Sequence, residues 1–303
     1  MDREILYTPE PHKMYVEHFN GGLRGAVVLI HGGFHNGVCW TQTPDGRKGW
    51  ALILADQGYD VYVVDLPGVG RSGFLTHDVM NGEFIIQAFD GLFSKINLPV
   101  TIFCHSLSGP YGFILAERYS KQVQKVVAIE PGPFGNIQEE TKPENIDGNI
   151  VKVIYKGLPF NLDMSQMLYP SKAHKDRFIC LNKKDNLFPE GDSVIQQYLS
   201  SLQPIHPRLM YERFNINGTQ IKIENPKTLL GTKCLIITTP DDPLHADEDP
   251  KISEALKSWG VNTTHWLNGE QGTEFNSHML MVEKNNEVIL HNIIDWMEKD
   301  NLS

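Results

Sequence analysis

The sequence is short of cysteine and lacks basic runs, long apolar stretches and internal repeats, and each absence removes a class of function. Four cysteines in 303 residues, Cys39, Cys104, Cys180 and Cys234, are too few for a disulfide framework. None of their spacings is that of a zinc site, so no metal or cofactor is expected. Cys104 and Cys234 lie in apolar, strand-like runs, where a cysteine acts as a small buried hydrophobe. The formal net charge is −10 with no Lys/Arg run, which excludes the electrostatic footprint of a nucleic-acid binder. It disfavours anionic polymers as substrates, but not a small anionic ester held locally. No apolar stretch approaches the ~20 residues that span a bilayer, so no membrane span is expected. The start, Met1-Asp2-Arg3-Glu4, leads into no apolar segment of the signal-peptide kind. A reducing cytoplasm is the expected compartment.

Apolar residues at 41% and charged residues at 21% suit a folded globular chain. Short aliphatic runs alternate with helical patterns. Val27–Ile30, Val61–Val64, Val100–Phe103, Val126–Ile129 and Cys234–Ile237 are near-continuous in β-branched and aliphatic residues, the pattern of parallel strands buried on both faces. Between them, Phe84 to Leu92, Tyr111 to Tyr119, Ile252 to Trp259 and Val288 to Met297 repeat at helical spacing. This alternation predicts a mostly parallel sheet flanked by helices. The rhythm breaks over 135–227, which is rich in Asn, Pro and Lys. The expected organisation is a core of 1–134 and 228–303, with 135–227 inserted as a lid.

Ligands of open α/β sheets bind beyond the carboxyl ends of the strands, and each predicted strand ends in a polar or glycine-rich turn. The most informative is Cys104-His105-Ser106-Leu107-Ser108-Gly109, entered by a strand and left by a helix. A turn that tight needs small residues two places either side of a nucleophile, and Cys104 and Ser108 stand there. Cys104 departs from the usual glycine. A serine hydroxyl needs a base within hydrogen-bond reach, and the base needs an orienting acid. His278 precedes the last amphipathic helix and is the expected base, whereas His265 falls in the last strand and His291 within the helix. Two acids suit: Glu130, ending the strand after the nucleophile helix, and Asp242 (or Asp241), ending the later strand. Spacing alone leaves both open.

These motifs resemble the α/β-hydrolase superfamily: His31-Gly32-Gly33, then Asp65-Leu66-Pro67-Gly68-Val69-Gly70-Arg71-Ser72, then the serine turn, then His278. More narrowly, Ile129-Glu130-Pro131 and Asn276-Ser277-His278-Met279 resemble a bacterial esterase subgroup whose acid is a glutamate on the earlier strand. That resemblance implies a Ser106–His278–Glu130 triad, with Asp242 as the alternative acid. It also implies an oxyanion hole made by the backbone N–H of Leu107 with that of Gly33 or Phe34. Some members of the subgroup carry adjacent cysteines in the oxyanion loop, where Gly33-Phe34 stands here, so no property of such a disulfide carries over.

The expected activity is cleavage of a small carboxylic ester or lactone through an acyl-enzyme. C–C bond hydrolysis, lyase chemistry or slow-turnover ligand sensing on the same fold are the alternatives. His35, Trp40 and Tyr111 are candidate pocket residues. His31, Asp65 and Arg71 are expected to shape their loops, and His105 to pack behind the nucleophile.

Overall fold

The computed structural model describes residues 2–76, 79–180, 185–267 and 269–299. Eleven strands run in chain order: β1 (Asp2–Tyr7), β2 (Tyr15–Asn20), β3 (Ala26–Ile30), β4 (Asp60–Asp65), β5 (Val100–His105), β6 (Val123–Ile129), β7 (Asn145–Asp147), β8 (Ile150–Tyr155), β9 (Leu158–Asp163), β10 (Lys233–Ile237) and β11 (Asn262–Trp266). Eight of them form one sheet in the order β1-β2-β4-β3-β5-β6-β10-β11. From β4 through β11 the pairing is parallel. β2 joins antiparallel to β4, and β1 to β2.

All five predicted aliphatic runs lie in this sheet. Every residue of β3 and β5 is buried, as runs apolar on both faces require. Each Val, Leu or Ile so buried contributes about 1.5–3 kcal/mol. The predicted helices are present at Gly82–Ala88 with Asp90–Phe93, Gly109–Arg118, Asp249–Ser258 and Asn286–Glu298. The β1–β2 hairpin escapes the pattern because β1, Asp-Arg-Glu-Ile-Leu-Tyr, is an exposed edge strand with no buried face to impose alternation. No helix among the described residues is long and apolar enough to cross a membrane.

Strand order reverses direction at β3, which has β4 on one side and β5 on the other. A crevice opens at such a switch point, outside the carboxyl ends. Gly33 and Ser106 follow the two strands that border it.

Between β6 and β10 the chain builds a second, antiparallel sheet, β7-β8-β9, and helices Lys172–Ile179, Asp192–Ser201 and Pro207–Arg213. This part has a small core of its own, Val151, Val153, Leu162, Phe214 and Ile216. Its strands were not legible because β8 carries apolar residues on both faces. Val151 and Val153 are buried, while Ile150 and Ile154 point to solvent.

Candidate active site

The turn after β5 holds Ser106 at φ 53°, a left-handed conformation that a serine adopts only under constraint. The constraints are visible. Ser108 Oγ donates to the carbonyl of Ile30 at 3.1 Å, and the amide of His105 donates to Ser108 Oγ at 3.0 Å. The amide of Gly132 donates to the carbonyl of Ser106 at 2.8 Å. A Cβ on Gly32 would lie 2.6 Å from Nδ1 of His105 and 3.0 Å from Cβ of Ser106, so glycine is required there. The departure at Cys104 is absorbed by Gly112 one turn along the following helix, where any Cβ would overlap the Cys104 sulfur.

Phe34, in the turn after β3, is also left-handed at φ 62°. Its carbonyl accepts from the amide of Gln203 at 2.8 Å, a bond that ties this turn to the 135–227 segment. Gly33 faces Leu107, whose Cβ would lie 3.7 Å from a Cβ at Gly33. Ser106, Leu107, Gly33, Phe34 and His278 all line one cavity of about 120 Å³. The 135–227 segment contributes Tyr155, Leu158, Phe160, Phe178, Met210 and Phe214 to its walls, and also Lys156, His174, Arg177 and Arg213.

His278 is buried, with Nδ1 2.6 Å from Oδ2 of Asp242. Its carbonyl accepts from Nε2 of His105 at 2.8 Å, so His105, next to Ser106 in the chain, holds the histidine loop. Glu283 holds that loop from the other side, accepting from Asn276 Nδ2 at 2.6 Å and from Ser277 Oγ at 3.0 Å.

Glu130, favoured by the resemblance, is turned elsewhere. Its Oε1 accepts from the amide of Thr239 at 2.7 Å and from the Thr239 hydroxyl, and its buried Oε2 has no hydrogen-bond partner. The imidazole is thus bonded to the alternative acid, Asp242. Burial opposes ionisation at both carboxyls. At Asp242, Arg177 and then His278 and His245 override burial and hold it well below the usual carboxylate range. At Glu130, burial and the neighbouring charge of Asp242 prevail and push it well above that range. Two carboxyls close together are thereby driven apart, one toward the charged form and one toward the neutral.

The donor atoms of Glu130, Asp242, His245 and His278 lie within 4.8 Å of one another, a two-imidazole, two-carboxylate set of the kind zinc accepts. Here the cation against two of those groups is a guanidinium. Arg177 Nη2 donates to Asp242 Oδ2 and lies 2.8 Å from His278 Nδ1. Nothing in the sequence singled out Arg177, because it sits in a segment without a motif.

Three pocket candidates are displaced from the cavity. His35 stands behind the Gly33-Phe34 turn: its Nδ1 lies 2.8 Å from the carbonyl of Gly33 and its Nε2 2.9 Å from the Tyr198 hydroxyl. Trp40 is fully buried, 5.7 Å from the ring of Trp50. Tyr111 is buried beside Gly82. All three belong to the packing that supports the site. The loop-shaping residues stand as expected. His31 Nε2 accepts from the amide of Leu66 at 3.0 Å. Arg71 makes a two-pronged pair with Asp65 at 2.8 and 2.9 Å.

A strained serine after a central parallel strand and a histidine–carboxylate pair after later ones agree with the family whose profile matches residues 27–287, the Alpha/beta hydrolase family. The chain belongs to this family. Among the family's curated relatives, the chain is similar to the probable secreted lipase phiG of Fungal sp. (strain ATCC 74256). The two are 23% identical over 90% of this chain and 81% of that one. It also resembles the 2-hydroxy-6-oxo-6-phenylhexa-2,4-dienoate hydrolase of Comamonas testosteroni, at 24% identity over 47% of this chain and 48% of that one. Among solved structures, a carboxylesterase of Nitrososphaera gargenis superposes with a TM-score of 0.62 at 17% identity. That match covers 98% of this chain and all of the other.

Proposed function

We propose that this alpha/beta hydrolase cleaves a small carboxylic ester or lactone through an acyl-enzyme on Ser106, with His278 as the base and Asp242 as the orienting acid. The observation that carries the reading is the left-handed Ser106 opening into the same cavity as His278, whose Nδ1 is bonded to Asp242. Ser106 Oγ attacks the acyl carbonyl while Nε2 of His278 takes its proton. The backbone N–H groups of Leu107 and of Gly33 or Phe34 receive the oxyanion, and each such donor is worth roughly 10²–10³ in turnover. The tetrahedral intermediate collapses, and His278 returns the proton to the departing alkoxide. Water then repeats the sequence and frees the acid. Asp242 fixes the imidazole tautomer and stabilises the imidazolium. Glu130 sits beside the pair, its carboxyl pushed toward the neutral form by burial and by Asp242. The 135–227 segment acts as a lid, since its aromatic and aliphatic side chains form much of the cavity wall. All four cysteines are free and buried, which suits the cytoplasm as the proposed compartment.

The Comamonas relative, a hydrolase by name, supports C–C cleavage as a second reading, and turnover of a 2-hydroxy-6-oxodienoate in place of esters would favour it. Purified protein is expected to release many equivalents of nitrophenol from p-nitrophenyl acetate, and Ser106→Ala is expected to lose about 10³-fold or more with its melting temperature kept. Undiminished turnover in that variant would sink the serine mechanism. Turnover of only one or two equivalents by the parent would favour a sensor.

A further inference from the structure

This inference deepens the hydrolase reading and rests on it. Arg177 projects from the helix Lys172–Ile179 into the polar cluster. Its Nη2 donates to Oδ2 of Asp242, and its Nε lies 3.2 Å from Oδ1 of the same carboxylate. The same Nη2 is 2.8 Å from Nδ1 of His278. That ring nitrogen is also the one 2.6 Å from Asp242.

The two contacts at Nδ1 demand opposite tautomers. A guanidinium only donates. An Nδ1 that accepts from Arg177 carries no hydrogen, so the ring hydrogen sits on Nε2 and the ring cannot take a proton from Ser106. A working base needs the reverse, Nδ1–H donating to Asp242 with the Nε2 lone pair free. Arg177 also sets a fixed positive charge beside a ring that must become positive during acyl transfer. Burial, and after it the charge of Arg177, lowers His278 to about 3. Turnover therefore requires the guanidinium to give up Nδ1.

An anion brought into the cavity by a ligand competes for the guanidinium. The other cations on its wall both pair with Glu248, whereas Arg177 pairs with Asp242. Arg213 pairs with Glu248 at 2.6 Å and donates to the Tyr155 hydroxyl at 2.9 Å. Lys156 pairs with the same Glu248 at 3.1 Å and donates to the carbonyl of Leu244 at 2.7 Å. Arg177 lines the cavity with its side chain 23% exposed, and most of the remaining wall is apolar. A planar guanidinium at the end of an apolar pocket matches a carboxylate on an apolar body.

We propose that Arg177 is a specificity-determining residue: the carboxylate of an apolar ester draws its guanidinium away from Nδ1 of His278, so that the substrate's own charge releases the base. The matched probes are mono-4-nitrophenyl adipate and 4-nitrophenyl hexanoate, which differ in a terminal carboxylate. The parent is expected to favour the adipate by about tenfold or more in kcat/KM. Arg177→Gln is expected to abolish that preference, bringing the adipate down to the level of the hexanoate, and Arg177→Lys to fall between. A second arm needs no chemistry. By calorimetry, Ser106→Ala is expected to bind 4-phenylbutyrate about tenfold more tightly than 4-phenylbutanol, and Ser106→Ala/Arg177→Gln to bind the two alike. A carboxylate preference in binding without ester turnover would overturn the hydrolase reading and keep the anion site. Ester turnover with no preference in either arm would overturn this proposal alone, as would equal loss of both esters in Arg177→Gln, the mark of a merely structural arginine.

Discussion

Nδ1 of His278 is bonded to Asp242, 36 residues upstream, at 2.6 Å, although Glu130 ends the neighbouring strand β6 and has an unpartnered carboxyl oxygen. The pairing reverses the preference drawn from the Ile129-Glu130-Pro131 turn and changes what mutagenesis should find. Asp242→Asn is expected to lower kcat by about 10³–10⁴, the cost of a wrongly oriented imidazole. Glu130→Gln is expected to cost less than about tenfold. Steady-state kinetics on one ester decide it, and the opposite ranking would return the acid to Glu130.

The protonation of Glu130 is open to a stability test. Burial and Asp242 raise its folded-state carboxyl well above 4.5, so the native state holds a proton that the unfolded chain has released. Stability from this group is full below about pH 4.5 and is lost as pH rises from there toward the folded value. Glu130→Gln keeps an oxygen for Thr239 and removes the titration. The variant's melting temperature is expected to gain on the parent by a few degrees between pH 5 and pH 8. A difference that stays flat or narrows would show an ionised Glu130.

Catalysis should tolerate acid better than an ordinary histidine would allow. The base must be neutral to work, and His278 is lowered to about 3, chiefly by burial and next by Arg177. The acid limb of kcat/KM, which reports the free protein, is expected below pH 5 and not near 6.5. A limb at 6 or above, measured where melting curves show the fold intact, would contradict the buried imidazole described here.

The accommodation of Cys104 predicts a coupled pair. Gly112→Ala forces a methyl onto the Cys104 sulfur and is expected to cost about 1–3 kcal/mol, as overpacking does. Placing the same change in a Cys104→Gly background should remove most of that cost. Denaturant titrations of the two singles and the double give the coupling, and simple additivity would show that the two positions do not meet.

The sheet was legible in the sequence because runs such as Val27–Ile30 have no other stable home than a strand covered on both faces. The meeting of Ser106 and His278 at one cavity was legible because a tight turn and a fixed chain order constrain placement strongly. The carboxyl that meets the ring was not. Glu130 and Asp242 follow adjacent parallel strands, β6 and β10, and their spacing from Ser106 cannot say which carboxyl reaches the ring. What separates them is Arg177, which keeps Asp242 charged from a distant part of the chain. His35, Trp40 and Tyr111 were misplaced for a related reason. An aromatic residue next to a site motif is as useful under the motif as in front of it, and periodicity does not distinguish the two.

The bond from the Gln203 amide to the Phe34 carbonyl bears on how such a protein can be recombined. Phe34 is held in its left-handed turn partly by the 135–227 segment, so the stretch around Gln203 belongs with the turn after β3 and not with the cavity wall. A chimaera that exchanges residues 135–227 for a relative's segment needs a replacement amide at this point. Without one, it inherits a new pocket above a Gly33-Phe34 turn that has lost part of its mould.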